Sequence, residues 1–185
     1  MSGAGAKRYG TASPEDRAKA GLEFVRGLVD GTLPLNTMAR TLGYDVVEAS
    51  EGRVVVTATP TAEQLNPEGT VHGGLAATLL DSCMGLAVRT LTGAGTESTT
   101  LEFKIAFVRP ITPETGLVRG EGVVLSMGRR VGSAEGRLTD RDGKLLAHAT
   151  TTCLVFERWT MPLLLMSIVF SLAMIALLLG GRQSK

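Results

Sequence analysis

The segment HGGLAATLLDSCMGLAVRTL, residues 72–91, decides the fold. From Leu75 onward, Leu75, Ala76, Leu79, Leu80, Cys83, Met84, Leu86 and Ala87 recur at helical spacing and cover most of a helix circumference. Thr78, Asp81, Ser82 and Arg89 leave only a narrow polar stripe. A helix this apolar must be wrapped by other elements, and the chain downstream supplies them. Segments 98–108, 116–126, 130–139 and 144–156 read as strands, separated by residues 110–113, by Met127-Gly128 and by Arg141-Asp142-Gly143. Upstream, 45–49 and 53–59 read as a hairpin that turns at Ser50-Glu51-Gly52. The expected class is α+β, with an antiparallel sheet around one long helix.

Ser13-Pro14-Glu15-Asp16 is a cap and first-turn signature, and Ala18, Leu22, Val25 and Leu28 follow at helical spacing, so one amphipathic helix is expected over 14–30. Gly31 and Pro34 end it, and a short turn of helix is expected over 36–42. The organisation read from the chain is an N-terminal extension over 1–34, a central domain over 35–157 and an apolar C-terminal segment over 158–185.

A length of 185 residues suits one domain with a substantial core. Nineteen basic and eighteen acidic residues, without a block of like charges, give no footprint for nucleic acid. Twenty-three glycines against eight aromatic residues point to tight turns and close backbone approaches. Cys83 and Cys153 have neither zinc-site spacing nor the number of a disulfide framework, and read as reduced core residues; no metal or cofactor is expected. The first nine residues have no apolar run after Lys7 and Arg8, so no secretory signal is read and the catalytic domain is expected in the cytoplasm.

Residues 161–179 are nineteen uncharged, mostly apolar positions, about 29 Å as a helix. With Trp159 at the entry and charges at both flanks, they read as a C-terminal hydrophobic helix and membrane anchor; a helix buried in an oligomer is the alternative.

Asp81 is the chemically informative residue. A carboxylate on an apolar helix costs free energy unless it is solvated, paired or kept for chemistry, and the polar stripe leaves each of these open. His72-Gly73-Gly74 at the same helix's start offers free N–H groups to a developing negative charge, and equally suits a tight helix entry. Gly73 and Asp81 are eight residues apart, a rise of about 12 Å, so they cannot grip one carbonyl carbon. A site using both must take them from two subunits, and the catalytic reading therefore expects a symmetric oligomer.

The run Asn66-Pro67-Glu68-Gly69-Thr70-Val71-His72-Gly73-Gly74, followed by Asp81, resembles the hotdog-fold thioesterases of the phenylacetic-acid-degradation type. Residues 100–104, Val108-Arg109-Pro110, Arg129-Arg130 and Asp142-Gly143-Lys144 add to the likeness, which spans roughly 35–157. The resemblance implies a long central helix wrapped by a curved antiparallel sheet, acting as a homodimer or homotetramer on an acyl-CoA substrate. It implies the Gly73 N–H as oxyanion donor, with His72 and Asn66 orienting that end. It further implies Asp81 of the partner subunit as nucleophile or general base, and Thr100 placing the attacking water. Arg109, Arg129 and Arg130 are candidate contacts for coenzyme A phosphates, and equally solvated strand-end charges. The N-terminal extension and the apolar tail are departures from the family pattern. Two other readings stand beside this one: a hotdog hydratase or dehydratase, against which the Asp81 spacing argues, and a non-catalytic acyl-CoA binding or membrane-associated scaffold protein.

Overall fold

The computed structural model of the protein describes residues 7–157; the apolar run at 161–179, read as a membrane anchor, lies outside them. Among the described residues no helix is long and apolar enough to cross a membrane. In chain order the elements are α1 (Pro14–Arg17), α2 (Gly21–Asp30), α3 (Thr37–Leu42), β1 (Tyr44–Ser50), β2 (Arg53–Ala58), α4 (Gly73–Thr90), β3 (Thr96–Phe107), β4 (Val118–Met127), β5 (Val131–Thr139) and β6 (Leu145–Glu157).

All six strands form one antiparallel sheet in the order β1-β2-β4-β5-β6-β3, which leaves β1 and β3 at its edges. Pairing slips by a residue at Val46/Glu48, Thr100/Glu102 and Val124/Ser126, and such bulges bend and twist a sheet. The sheet thereby wraps α4, whose Leu79, Leu80, Cys83 and Met84 are fully buried with Val54, Val56 and Leu138 of the strands. This is the hotdog architecture, with a long central helix in a curved antiparallel sheet.

Two strand glycines set the distance between layers. A Cβ on Gly122 of β4 would lie 2.4 Å from the Cys83 carbonyl, and one on Gly136 of β5 would lie 2.9 Å from Leu80 Cδ2 and Met84 Cγ. At Gly122 the helix backbone therefore rests directly on bare strand backbone, and at Gly136 two large helix side chains do, which is one physical use of a glycine-rich composition.

The N-terminal segment departs from expectation. Ser13 caps α1 by accepting the Asp16 N–H at 3.0 Å, but the single helix expected over 14–30 is broken between Arg17 and Gly21. Tertiary hydrogen bonds displace the helical ones. The Gly21 N–H donates to Thr92 O at 2.9 Å, the Gly95 N–H to Ala18 O at 2.9 Å, and the Arg89 guanidinium to Arg17 O at 2.8 Å. A Cβ on Gly21 would lie 1.7 Å from Arg89 O, so only glycine allows this docking. Helical periodicity is a weak preference beside such contacts. Elsewhere the strand limits move by one or two residues, and α4 starts at Gly73 rather than Leu75.

Candidate active site

Asp81 lies midway along α4, half-buried, and its Oδ1 accepts the Thr100 hydroxyl at 2.8 Å. Thr100 reaches it from β3, at the position where the strand bulges before Glu102. Gly85, one turn beyond Asp81, keeps the helix face open here; the nearest atom to a Cβ at that position would be Thr100 Oγ1 at 3.6 Å. Asp81 and Thr100 open onto a cavity of about 370 Å³ whose walls include Asn36, Val46, Ser82 and Leu86. Ser82 donates to the buried Tyr44 hydroxyl at 3.1 Å, and Tyr44 donates to Asn36 Oδ1 at 3.2 Å, so the polar wall is internally satisfied.

At the other end of the site, His72 caps α4. Its Nδ1 accepts the Gly74 N–H at 2.8 Å, its own N–H donates to Gln64 O at 2.7 Å, and the Leu75 N–H donates to His72 O at 3.0 Å. Among the described residues no acceptor takes the Gly73 N–H, the one unsatisfied donor of this first turn. Phe107, at the end of β3, packs its ring against Gly73, and a Cβ there would lie 2.9 Å from Phe107 Cζ. Gly73 and Phe107 share a second cavity, of about 460 Å³, with Ala76 and Arg109. The oriented N–H and the positive end of the helix dipole make this a place for an anionic oxygen.

Asn66 is not brought to either cavity wall. Its Oδ1 accepts the N–H groups of Glu68 at 3.1 Å and Thr70 at 3.0 Å, and its Nδ2 donates to Thr70 Oγ1 at 2.8 Å, so it builds the loop before His72. Of the five candidate site residues, the structure pairs Asp81 with Thr100 at one cavity and sets Gly73 on a second, while His72, bonded to the Gly74 N–H, lines a third beside Leu75 and Thr78. Sequence reasoning passed over Asn36, Tyr44 and Phe107 as site neighbours. It read Asn36 only as a helix start, which it also is, since Oδ1 caps α3 by accepting the Ala39 N–H at 2.8 Å.

Both cysteines are free and buried. Burial pushes the Cys83 thiol up to about 12, and raises that of Cys153, which borders the Asp81 cavity, so both stay protonated near neutral pH. Among the described residues no three His, Cys, Asp or Glu side chains are grouped to hold a metal ion.

Residues 68–147 match the sequence model of the Thioesterase superfamily. Two curated candidate esterases, from Halobacterium salinarum and Saccharolobus solfataricus, are each 35% identical to the chain, over 51% and 58% of it. The chain spans 64% of the first, just under two thirds of its length, and 75% of the second. Among solved structures, a candidate thioesterase related to phenylacetic acid degradation from Ralstonia eutropha is 32% identical, with a TM-score of 0.64 over 70% of this chain and 98% of that one. A Streptococcus mutans protein solved with acetyl-CoA bound is 27% identical, with a TM-score of 0.57 over 62% of this chain and 90% of its own.

Proposed function

The chain belongs to the thioesterase superfamily, and from that membership we propose that it hydrolyses an acyl-CoA thioester to the free acid and coenzyme A. The observation that carries this reading is a half-buried carboxylate, Asp81, held by the Thr100 hydroxyl at 2.8 Å on the wall of an acyl-sized cavity. Either of two routes balances. As general base, Asp81 takes a proton from water as the oxygen attacks the carbonyl carbon; as nucleophile, it forms an acyl-carboxylate anhydride that water then opens. In both, the C–S bond breaks and the proton ends on the coenzyme A sulfur. The unsatisfied Gly73 N–H stabilises the oxyanion, with His72 fixing the turn that presents it. The acetyl-CoA bound by the Streptococcus mutans neighbour supports a coenzyme A ester, and Arg109 beside the Gly73 cavity suits its phosphates.

The site is completed by a second copy of the chain. β3 is a twelve-residue edge strand with Leu101 and Phe107 more than half exposed, a surface that invites pairing. Two such strands joined antiparallel about a two-fold axis bring the start of one, where Thr100 meets Asp81, beside the end of the other, where Phe107 covers the partner's Gly73. A homodimer, alone or doubled into a tetramer, therefore unites the two cavities. The test is complementation: Asp81→Asn and Gly73→Val, each inactive, are unfolded together and refolded. Mixed dimers hold one intact site of two, so about a quarter of wild-type activity should return. No recovery, with mixed dimers demonstrated, would sink the two-chain site.

Thr100 gives a finer check. Thr100→Val keeps the shape and removes the hydroxyl, and should lower kcat roughly tenfold, while Thr100→Ser should restore most of it. Equal rates for all three would leave Thr100 a packing residue. The apolar run at 161–179 supports a membrane contact for the full chain, which vesicle flotation reads directly.

A further inference from the structure

We infer that α2 is the ruler of the acyl pocket, with Phe24 and Leu28 limiting how long an acyl chain the site takes. The inference rests on the reading above, that the thioester carbonyl sits at Asp81. One wall of the Asp81 cavity is the face of α4 that carries Asp81, Gly85, Leu86 and Arg89, positions that stack on one side of a helix. From Asp81 to Arg89 that wall rises about 12 Å. Leu28 from α2, Leu35, Val46 and Leu86 supply the apolar part of a lining whose polar part is Asn36, Ser82 and the 98–100 stretch of β3. An acyl chain that starts at Asp81 finds its apolar contacts along α4 and α2.

What stops it there is rigid and then polar. Arg89 is only 7% exposed, and its guanidinium lies 5.3 Å from the centroid of the Phe24 ring. The same guanidinium donates to Arg17 O at 2.8 Å and to Thr92 Oγ1 at 2.9 Å, which leaves it little freedom to move. The Gly21 N–H bond to Thr92 O pins the start of α2 to the end of α4, so the ring's backbone is anchored as well. With Phe24 the cavity is lined by Arg17, Arg89 and Glu97, and burying an apolar chain end against charged groups forfeits their remaining solvation. The limit is therefore set by a fixed aromatic stop backed by charge. Residues 21–30 lie outside the 68–147 stretch that matches the family model.

The test is a series of straight-chain acyl-CoAs, from acetyl to palmitoyl, offered to the full chain as wild type, Phe24→Ala and Phe24→Trp. Two readouts are taken: kcat/KM, and calorimetric affinity with each form in an Asp81→Asn background that does not consume the ligand. Phe24→Ala should move the preferred length upward and raise the long-to-short ratio about tenfold or more, and Phe24→Trp should shorten it. The same length profile in every folded variant, by either readout, overturns the inference. Should Phe24→Ala fail to fold, Phe24→Trp with Leu28→Ala carries the comparison. The two readings fail separately: shifted affinities without turnover by wild type would keep the ruler and remove the hydrolase, whereas turnover with an unshifted profile would do the reverse.

Discussion

Asp81→Asn should lower kcat about 10³-fold while the melting temperature, the assembly and the affinity for acyl-CoA stay close to wild type. The substitution is nearly isosteric, and the amide oxygen of Asn can still accept the Thr100 hydroxyl that Asp81 accepts at 2.8 Å. What disappears is the negative charge and with it the capacity to take a proton or attack a carbonyl. Because that capacity acts only as the transition state forms, kcat and kcat/KM should fall together with little change in KM. The measurement is thiol release from acyl-CoA by the purified full chain, beside a thermal melt of each protein. Turnover that survived in a folded Asp81→Asn would remove Asp81 from the chemistry, whereas no turnover by wild type on any acyl-CoA would leave a protein that binds acyl-CoA without cleaving it.

The second large effect is structural. Gly122→Ala should cost about 3 kcal/mol or more, because the new Cβ would lie 2.4 Å from the carbonyl carbon and oxygen of Cys83 and 2.6 Å from the Met84 nitrogen. These are backbone atoms of a buried helix, so no side-chain rotation relieves the clash; α4 and the sheet must separate. For a chain of this size the melting temperature should drop roughly 6–12 °C. Cys83 is two residues from Asp81, so the separation also shifts the carboxylate relative to Thr100, and turnover per folded molecule should decrease. A melt within a degree or two of wild type would mean that the layers are not held at this contact.

The helix that carries Asp81 could be read from its own residues, because an apolar surface covering nearly a full circumference must be wrapped, and the strands that follow it supply the wrapping. The strands were legible from punctuation, as at Met127-Gly128 and Arg141-Asp142-Gly143. Which strands pair was not. β3 lies beside β6 at one edge although β4 and β5 stand between them in the chain, and no local pattern encodes that order. For the site, Asp81 and the Gly73 turn came from residue chemistry, and Thr100 only from family resemblance. The hydroxyl that meets the carboxylate is nineteen residues away, on a different element. Arg89 was read as part of a polar stripe, yet it is buried: besides the nearby Thr92 hydroxyl its partners are the carbonyls of Arg17 and Lys19, some seventy positions upstream, which a spacing rule cannot reach. The same long-range contacts broke the helix expected over 14–30.

Those carbonyls have a consequence for how much of the chain is dispensable. A comparison with relatives invites trimming to the shared stretch, as though the first thirty residues were an accessory. Burial already draws the Arg89 guanidinium below its ordinary pKa, and two of the oxygens that compensate its charge come from the break between α1 and α2. Cutting that segment away would take the cover together with the oxygens: the guanidinium would return to water, while the apolar surface that Val25 and Leu28 of α2 now cover would be left bare. The appendage is thus a piece of the core that happens to come first in the chain.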